Sequence, residues 1–347
     1  MDSTMKRREN FPDEYPRLAA ALAAALFLLG GCSPREQADP SKPAVGLVFD
    51  VGGRGDKSFN DSAYNGLERA RKELNVQADY IEPGEGADKE SALRQMASGR
   101  YGLIFGTGFL FTDDIDTVAG DFPGKKFACI DYAVDPSKKI PDNVLAIKFK
   151  EEEGSFLVGA IAALTSRTGT IGFVGGMDIP LIHKFEAGYR AGALHVDPKC
   201  RVLIGYAGVT GDAFKNPAKG KELALSQIGR GADVIFHASG STGLGVFEAA
   251  REKKVFAIGV DSDQYAEAPG RILTSMVKMV DVSVFRTIQD YLNGTFKGGV
   301  REFGLAENGV GYVYDEHNKD LIPRAIIDRV EELKKRIIAG RIKVPNK

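Results

Sequence analysis

Ten short apolar segments, each followed by residues whose apolar positions recur with helical spacing, run through this chain from Val45 to Val277. They are Val45–Asp50, Ala78–Ile81, Leu103–Gly106, Lys126–Ile130, Val144–Phe149, Ile171–Val174, Arg201–Tyr206, Val234–His237, Phe256–Val260 and Leu273–Val277. Segments that are almost wholly apolar read as strands buried on both faces, and strands separated by helices pair in parallel. The intervening stretches have the matching helical faces, such as Phe59, Ala63, Gly66, Leu67, Ala70 and Leu74 after the first strand. Gly154–Leu164 and Val280–Leu292 read the same way, and Leu321–Ile338 sets Ile326, Ile327, Val330, Leu333 and Ile337 opposite a charged side. The pattern predicts an α/β chain of doubly wound parallel sheets.

Two regions echo each other. Val45-Gly46-Leu47-Val48 leads through a Gly-rich loop to Lys57-Ser58-Phe59, and Ile171-Gly172-Phe173-Val174 leads through Gly175-Gly176 to His183-Lys184-Phe185. Each reads as a strand, a loop and a helix that opens on phenylalanine. Two lobes of like construction, with five strands each, fit both the echo and a chain longer than one core usually holds.

The N-terminus carries an address. Lys6, Arg7, Arg8 and Arg17 precede an uncharged apolar run, Leu18 to Leu29, too short to span a bilayer but suited to an export signal. Leu29-Gly30-Gly31-Cys32 then resembles a lipobox, which predicts a signal peptide over 1–31 and a lipidated Cys32. The Ser-, Pro- and charge-rich segment to Pro43 reads as a tether over 32–43. The expected location is exported and lipid-anchored, facing the periplasm or cell exterior, with the membrane touched through the anchor only.

With 46 basic and 47 acidic residues the chain has neither a basic field for nucleic acid nor an acidic tail. Cys129 and Cys200 sit in apolar, strand-like surroundings, where they either pair or remain buried thiols. The four histidines are scattered, so no metal site and no cofactor are expected.

In open parallel sheets ligands bind beyond the carboxyl ends of strands. The loop after the first strand, Asp50 to Asp61, is Gly-rich, and either Asp56 or Ser58 can cap the following helix. Its spacing matches neither GxGxxG nor a P-loop. Other strand ends supply Asp131, Ser239-Gly240-Ser241, Asp261 and Lys278. Singly, each reads equally well as a helix cap or a solvated charge, and Phe59 as the start of a core face. Together, carboxylates, one lysine and aromatics suit a neutral, flat, hydroxyl-rich ligand, because carboxylates accept from hydroxyls and ring N–H groups while rings stack.

At these residues the chain resembles the basic membrane protein (BMP) family of substrate-binding lipoproteins, which includes purine nucleoside receptors. The resemblance spans Ala44 to about Pro345. It rests on Asp56-Lys57-Ser58-Phe59-Asn60, Glu152-Glu153-Gly154-Ser155-Phe156-Leu157-Val158-Gly159, Gly172-Phe173-Val174-Gly175-Gly176-Met177-Asp178-Ile179-Pro180, Asn216-Pro217-Ala218-Lys219-Gly220-Lys221-Glu222, Ile258-Gly259-Val260-Asp261-Ser262-Asp263-Gln264 and Thr274-Ser275-Met276-Val277-Lys278. It implies a type I periplasmic-binding-protein fold, with two lobes joined by a three-crossover hinge and the ligand between them. The implied limits are 44–146 plus 276–300 for one lobe and 147–275 plus 301–347 for the other. The implied ligand-binding residues are Asp50, Ser58, Phe59, Asn60, Asp131, Phe214, Gly240, Asp261 and Lys278. Phe59 and Phe214 would sandwich a base, with Phe185 as the alternative second ring. Asp50 and Asp131 would bind around the base, and Gly240, Asp261 and Lys278 would hold the sugar. Two departures weaken discrimination between purines: Phe214-Lys215-Asn216-Pro217 lacks the family's Phe-x-Asp-Pro acid, and Val51 follows Asp50 where a polar neighbour could contact the base.

The resemblance implies a monomeric binding protein that captures a nucleoside for an ABC permease and its ATPase. A secreted nucleoside hydrolase or phosphorylase is the alternative, but no nucleophile–base motif or metal spacing supports catalysis. A sensor for another heterocycle would share the architecture.

Overall fold

The computed structural model describes Asp39, residues 41–84 and residues 89–347. The expected signal peptide, the lipidated Cys32 and most of the tether lie outside the described residues.

All ten expected strands form, with ends shifted by a few residues. The first half runs β1 (Ala44–Val48), α1 (Phe59–Glu73), β2 (Gln77–Ile81), α2 (Lys89–Ser98), β3 (Leu103–Thr107), α3 (Thr112–Asp121), β4 (Lys126–Ile130) and β5 (Val144–Phe149). The second runs α4 (Glu151–Thr165), β6 (Thr170–Met177), α5 (Pro180–Val196), β7 (Arg201–Gly208), α6 (Pro217–Gly229), β8 (Val234–Ala238), α7 (Gly243–Lys253), β9 (Phe256–Asp261) and β10 (Ile272–Lys278). Then come α8 (Val280–Leu292), β11 (Gly299–Phe303), β12 (Val310–Tyr312) and α9 (Arg324–Ile338).

Among the described residues the strands make two six-stranded sheets, not two of five, ordered β11-β5-β4-β3-β1-β2 and β12-β10-β9-β8-β6-β7. The orders are the same when β6 is aligned on β1, so the echo between the two Gly-rich regions is an equivalence of position. β11 and β12 were not anticipated. Gly299-Val300-Arg301-Glu302-Phe303 mixes charge into an edge strand, and Val310–Tyr312 is too short to carry a period. Every pairing is parallel except β10 with β12. The chain changes sheet after Phe149, Lys278 and Phe303, a few residues beyond the limits expected at 146, 275 and 300.

Central strands β1, β3, β6 and β8 are buried at every position, as their continuous apolar sequence requires. Helix α4 is apolar almost all round and lies buried against α5. Glycines set that approach: a Cβ at Gly188 would lie 2.2 Å from the Glu152 carbonyl oxygen, and one at Gly192 1.9 Å from that of Phe156. The contact matters for function because it brings Glu151, at the start of α4, beside Lys184 on α5. Cys129 and Cys200 are both free and buried, Cys129 within β4 of one sheet and Cys200 directly before β7 of the other, which settles the open question of their pairing.

Candidate ligand-binding site

The carboxyl ends of both sheets face one cavity, which encloses about 630 Å³ of space free of protein atoms, its open mouth included. Of the nine residues expected from sequence, Asp50, Phe59, Asn60, Asp131, Phe214, Gly240, Asp261 and Lys278 line it, and Ser58 does not.

The first loop is built by its own carboxylates. Asp56 caps α1: its Oδ1 accepts from the Ser58 and Asp61 N–H groups at 2.9 and 3.1 Å, and its Oδ2 from the Asn60 N–H at 2.8 Å. Asp61 in turn accepts from Gly55 and Lys57 N–H. Asn60 is spent inside the protein: its Oδ1 accepts from the Asp50 N–H at 3.2 Å and its Nδ2 donates to Asp56 at 3.1 Å. Ser58 donates to Asp261 Oδ2 at 2.5 Å, across the cleft. Asn60 and Ser58 therefore hold Asp50 and Asp261 in place through their own hydrogen bonds.

Three carboxylates are left facing the cavity. Asp50 Oδ1 accepts only its neighbour's N–H, from Val51 at 2.7 Å. Asp131 directly follows β4 and Asp261 ends β9, at φ of 62° and 64°, a left-handed backbone that few non-glycine residues adopt and that turns each carboxylate into the cleft. Burial pushes Asp50 up to about 6, against the Val51 N–H, and lifts Asp261 to about 6 as well, against Lys278 and Ser58.

Lys278 ends β10, 2% exposed, with Nζ 2.6 Å from Asp131 Oδ2 and 3.2 Å from Glu151 Oε1. Burial acts to lower its ammonium, but Asp131, Glu151 and Asp261 outweigh that and hold it above the ordinary lysine range. The same Nζ lies 5.0 Å from the Phe59 and Phe149 ring centres and 5.7 Å from that of Phe185. Lys184 completes the cluster, 2.5 Å from Glu151 and donating also to the Phe149 carbonyl.

Phe59 comes from the first lobe, Phe185 and Phe214 from the second, and all three line the cavity. Phe185 sits in the second turn of α5 rather than opening it, because that helix begins at Pro180. At the mouth, a Cβ on Gly211 would meet Val51 at 3.0 Å and Leu110 at 3.5 Å. Val51 thus closes one lobe against the other. Asn216 caps α6 by accepting the Lys219 N–H at 3.0 Å, a role that an aspartate would fill equally well.

Sequence reasoning missed Glu151, Lys184 and Gly108, and it named Ser239 at a strand end without giving it a role, although Ser239 lines the cavity. Glu151 was hidden inside an acidic run, Glu151-Glu152-Glu153, that reads as a solvated helix start. Gly108 has φ of 104° and packs on Asp50, and only the positive φ marks it. Among the described residues one trio of possible metal ligands, Asp263, Asp315 and His317, comes within 4.8 Å. It lies outside the cavity, and Asp263 and Asp315 each cap a turn there.

The Bmp family model, described as ABC transporter substrate-binding protein PnrA-like, matches residues 44–347. The chain is 37% identical to the CD4+ T-cell-stimulating antigen of Listeria monocytogenes, over 87% of this chain and 88% of that protein. It is 39% identical to an uncharacterized lipoprotein of Pyrococcus abyssi, over 82% and 71%, and 34% identical to basic membrane protein A1 of Borrelia garinii, over 90% and 91%. An ABC transporter solute-binding protein of Aeropyrum pernix superposes with a TM-score of 0.80 at 33% identity, covering 88% of this chain and 94% of that one. The Lac repressor shares the fold alone, at 13% identity and a TM-score of 0.55.

Proposed function

We propose, for a chain that belongs to the Bmp family of PnrA-like ABC transporter substrate-binding proteins, that the cavity between its lobes captures a purine nucleoside. The family consists of solute-binding proteins, not enzymes. One observation carries the finer reading: rings from both lobes and three carboxylates with unspent oxygens converge on one enclosed space. Phe59 and either Phe214 or Phe185 stack on the base. Asp50 and Asp131 bind around the base, and Gly240, Asp261 and Lys278 hold the ribose. An anionic ligand would meet three carboxylates and one lysine already neutralised by Asp131 and Glu151.

On this reading Cys32 carries the lipid, the protein works outside the cytoplasm as a monomer, and an ABC permease with its ATPase takes the closed form. The name lipoprotein borne by the Pyrococcus relative supports the anchor.

Thermal-shift screening against nucleosides, free bases, sugars and amino acids tests the ligand. A nucleoside at a hundredfold excess over Kd should add about 2.7 kcal/mol of stability, and both Phe59→Ala and Asp261→Ala should abolish the shift. A shift with another class and none with nucleosides refutes the proposal.

A further inference from the structure

Behind the cavity wall runs a chain of buried polar groups whose donors and acceptors are fixed by the backbone at its far end. Gln264, 1% exposed, accepts the Val260 N–H at Oε1, 2.8 Å away, and donates from Nε2 to the Lys57 carbonyl at 3.0 Å. A backbone N–H only donates and a carbonyl only accepts, so the amide has one possible orientation. His237 is fully buried with Nε2 3.0 Å from that same Oε1, and two acceptors cannot face each other, so Nε2 carries the proton. Burial pushes the imidazole down to about 4, leaving it neutral with Nδ1 bare. Ser239 Oγ lies 3.3 Å from Nδ1 and is the remaining donor. Ser239 lines the cavity, and with its proton turned inward it offers the cavity lone pairs alone.

We propose that His237 and Gln264 are specificity-determining positioning residues: through Ser239 they fix a hydrogen-bond acceptor in the cavity wall, so that the ligand must present a hydroxyl or N–H there. This rests on the cavity being the ligand site and narrows what the ligand presents to it. The chain also crosses the cleft. Lys57 belongs to the first lobe, so the amide that orients His237 gains its last partner only when the lobes meet. The Ser239–His237 contact is not a nucleophile with its base, since the far nitrogen faces a neutral amide where a triad places a carboxylate.

Two measurements on the full chain decide it. Nitrogen-15 NMR of histidine-labelled protein reads the His237 tautomer with no ligand present: a proton on Nε2 is expected, and one on Nδ1 overturns the proposal. Affinities are then compared for guanosine, inosine and adenosine and their 2′-, 3′- and 5′-deoxyfluoro analogues, in which fluorine cannot donate. At the position facing Ser239 the native protein should bind the fluoro analogue about tenfold or more weakly, the effect of one buried acceptor left unpaired. In His237→Phe the Ser239 hydroxyl is free to turn, and the gap should shrink to about threefold or less. Ser239→Ala, which keeps His237 and Gln264 in place, should shrink it likewise. A gap that persists in Ser239→Ala, or the absence of any such gap in the native protein, overturns the proposal. Binding of no nucleoside together with the Nε2–H tautomer would refute the nucleoside and leave the fixed acceptor standing.

Discussion

Replacing Lys278 with methionine separates an interlobe ion pair from mere packing. Methionine keeps most of the side-chain volume and removes the charge. Lys278 Nζ serves Asp131 at 2.6 Å, on the first lobe, and Glu151 at 3.2 Å. Asp131 Oδ1 and Glu151 Oε1 both have no hydrogen-bond partner, but Glu151 keeps Lys184, so Asp131 is the carboxylate orphaned. Removing one member of a buried pair costs about 3–5 kcal/mol. The cost must depend on pH. Burial already raises Asp131 in the presence of Lys278, and without the lysine it rises further. A carboxyl whose folded pKa exceeds its unfolded one destabilises as pH climbs from the unfolded value to the folded one, by about 1.4 kcal/mol per unit. Lys278→Met should therefore be milder at pH 5 than at pH 8. The double variant Lys278→Met with Asp131→Asn should lose less than the two single losses added, by about 2 kcal/mol. Urea unfolding followed in parallel by tyrosine fluorescence and circular dichroism supplies the values and checks that both lobes unfold together. Additive losses, or a Lys278→Met loss indifferent to pH, would refute the argument.

Two other outcomes follow from the cavity. Burial lets Asp50 and Asp261 hold protons up to about pH 6, whereas ligand hydroxyls and N–H groups require the ionised form. Nucleoside affinity should be flat above about pH 7 and fall by about tenfold per unit per carboxylate below 6, while the free protein gains stability from these groups as pH falls from 6 towards 4. Calorimetric titration from pH 4.5 to 8 checks this, and Asp50→Asn should remove part of the slope. Gly108→Ala places a methyl group 2.4 Å from Asp50 Oδ2 at φ of 104°. It should lower stability by about 1 kcal/mol or more through backbone strain and weaken nucleosides by about tenfold as Asp50 moves, and an unaltered Kd would show that Asp50 does not touch the ligand.

How far the sequence could be read depends on whether a residue's role is set locally. Strands β1, β3, β6 and β8 were legible because burial on both faces writes a continuous apolar run, whereas β11 takes its place at a sheet edge only after the chain has crossed between lobes twice. Phe59, Asp131, Asp261 and Lys278 were legible because they stand where strands or helices end. The partners of those residues were not. Ser58 meets Asp261, and Lys278 meets Asp131, only through the pairing of lobes, at separations of 203 and 147 residues. His237 looked like one of several scattered histidines until Gln264 and Ser239 closed around it. The resemblance to a family supplies positions that line the cavity, and the structure adds the direction in which the Ser239, His237 and Gln264 protons point. Within a cavity of acceptors that direction decides what can bind, because a ligand group of the wrong polarity leaves a buried lone pair unpaired.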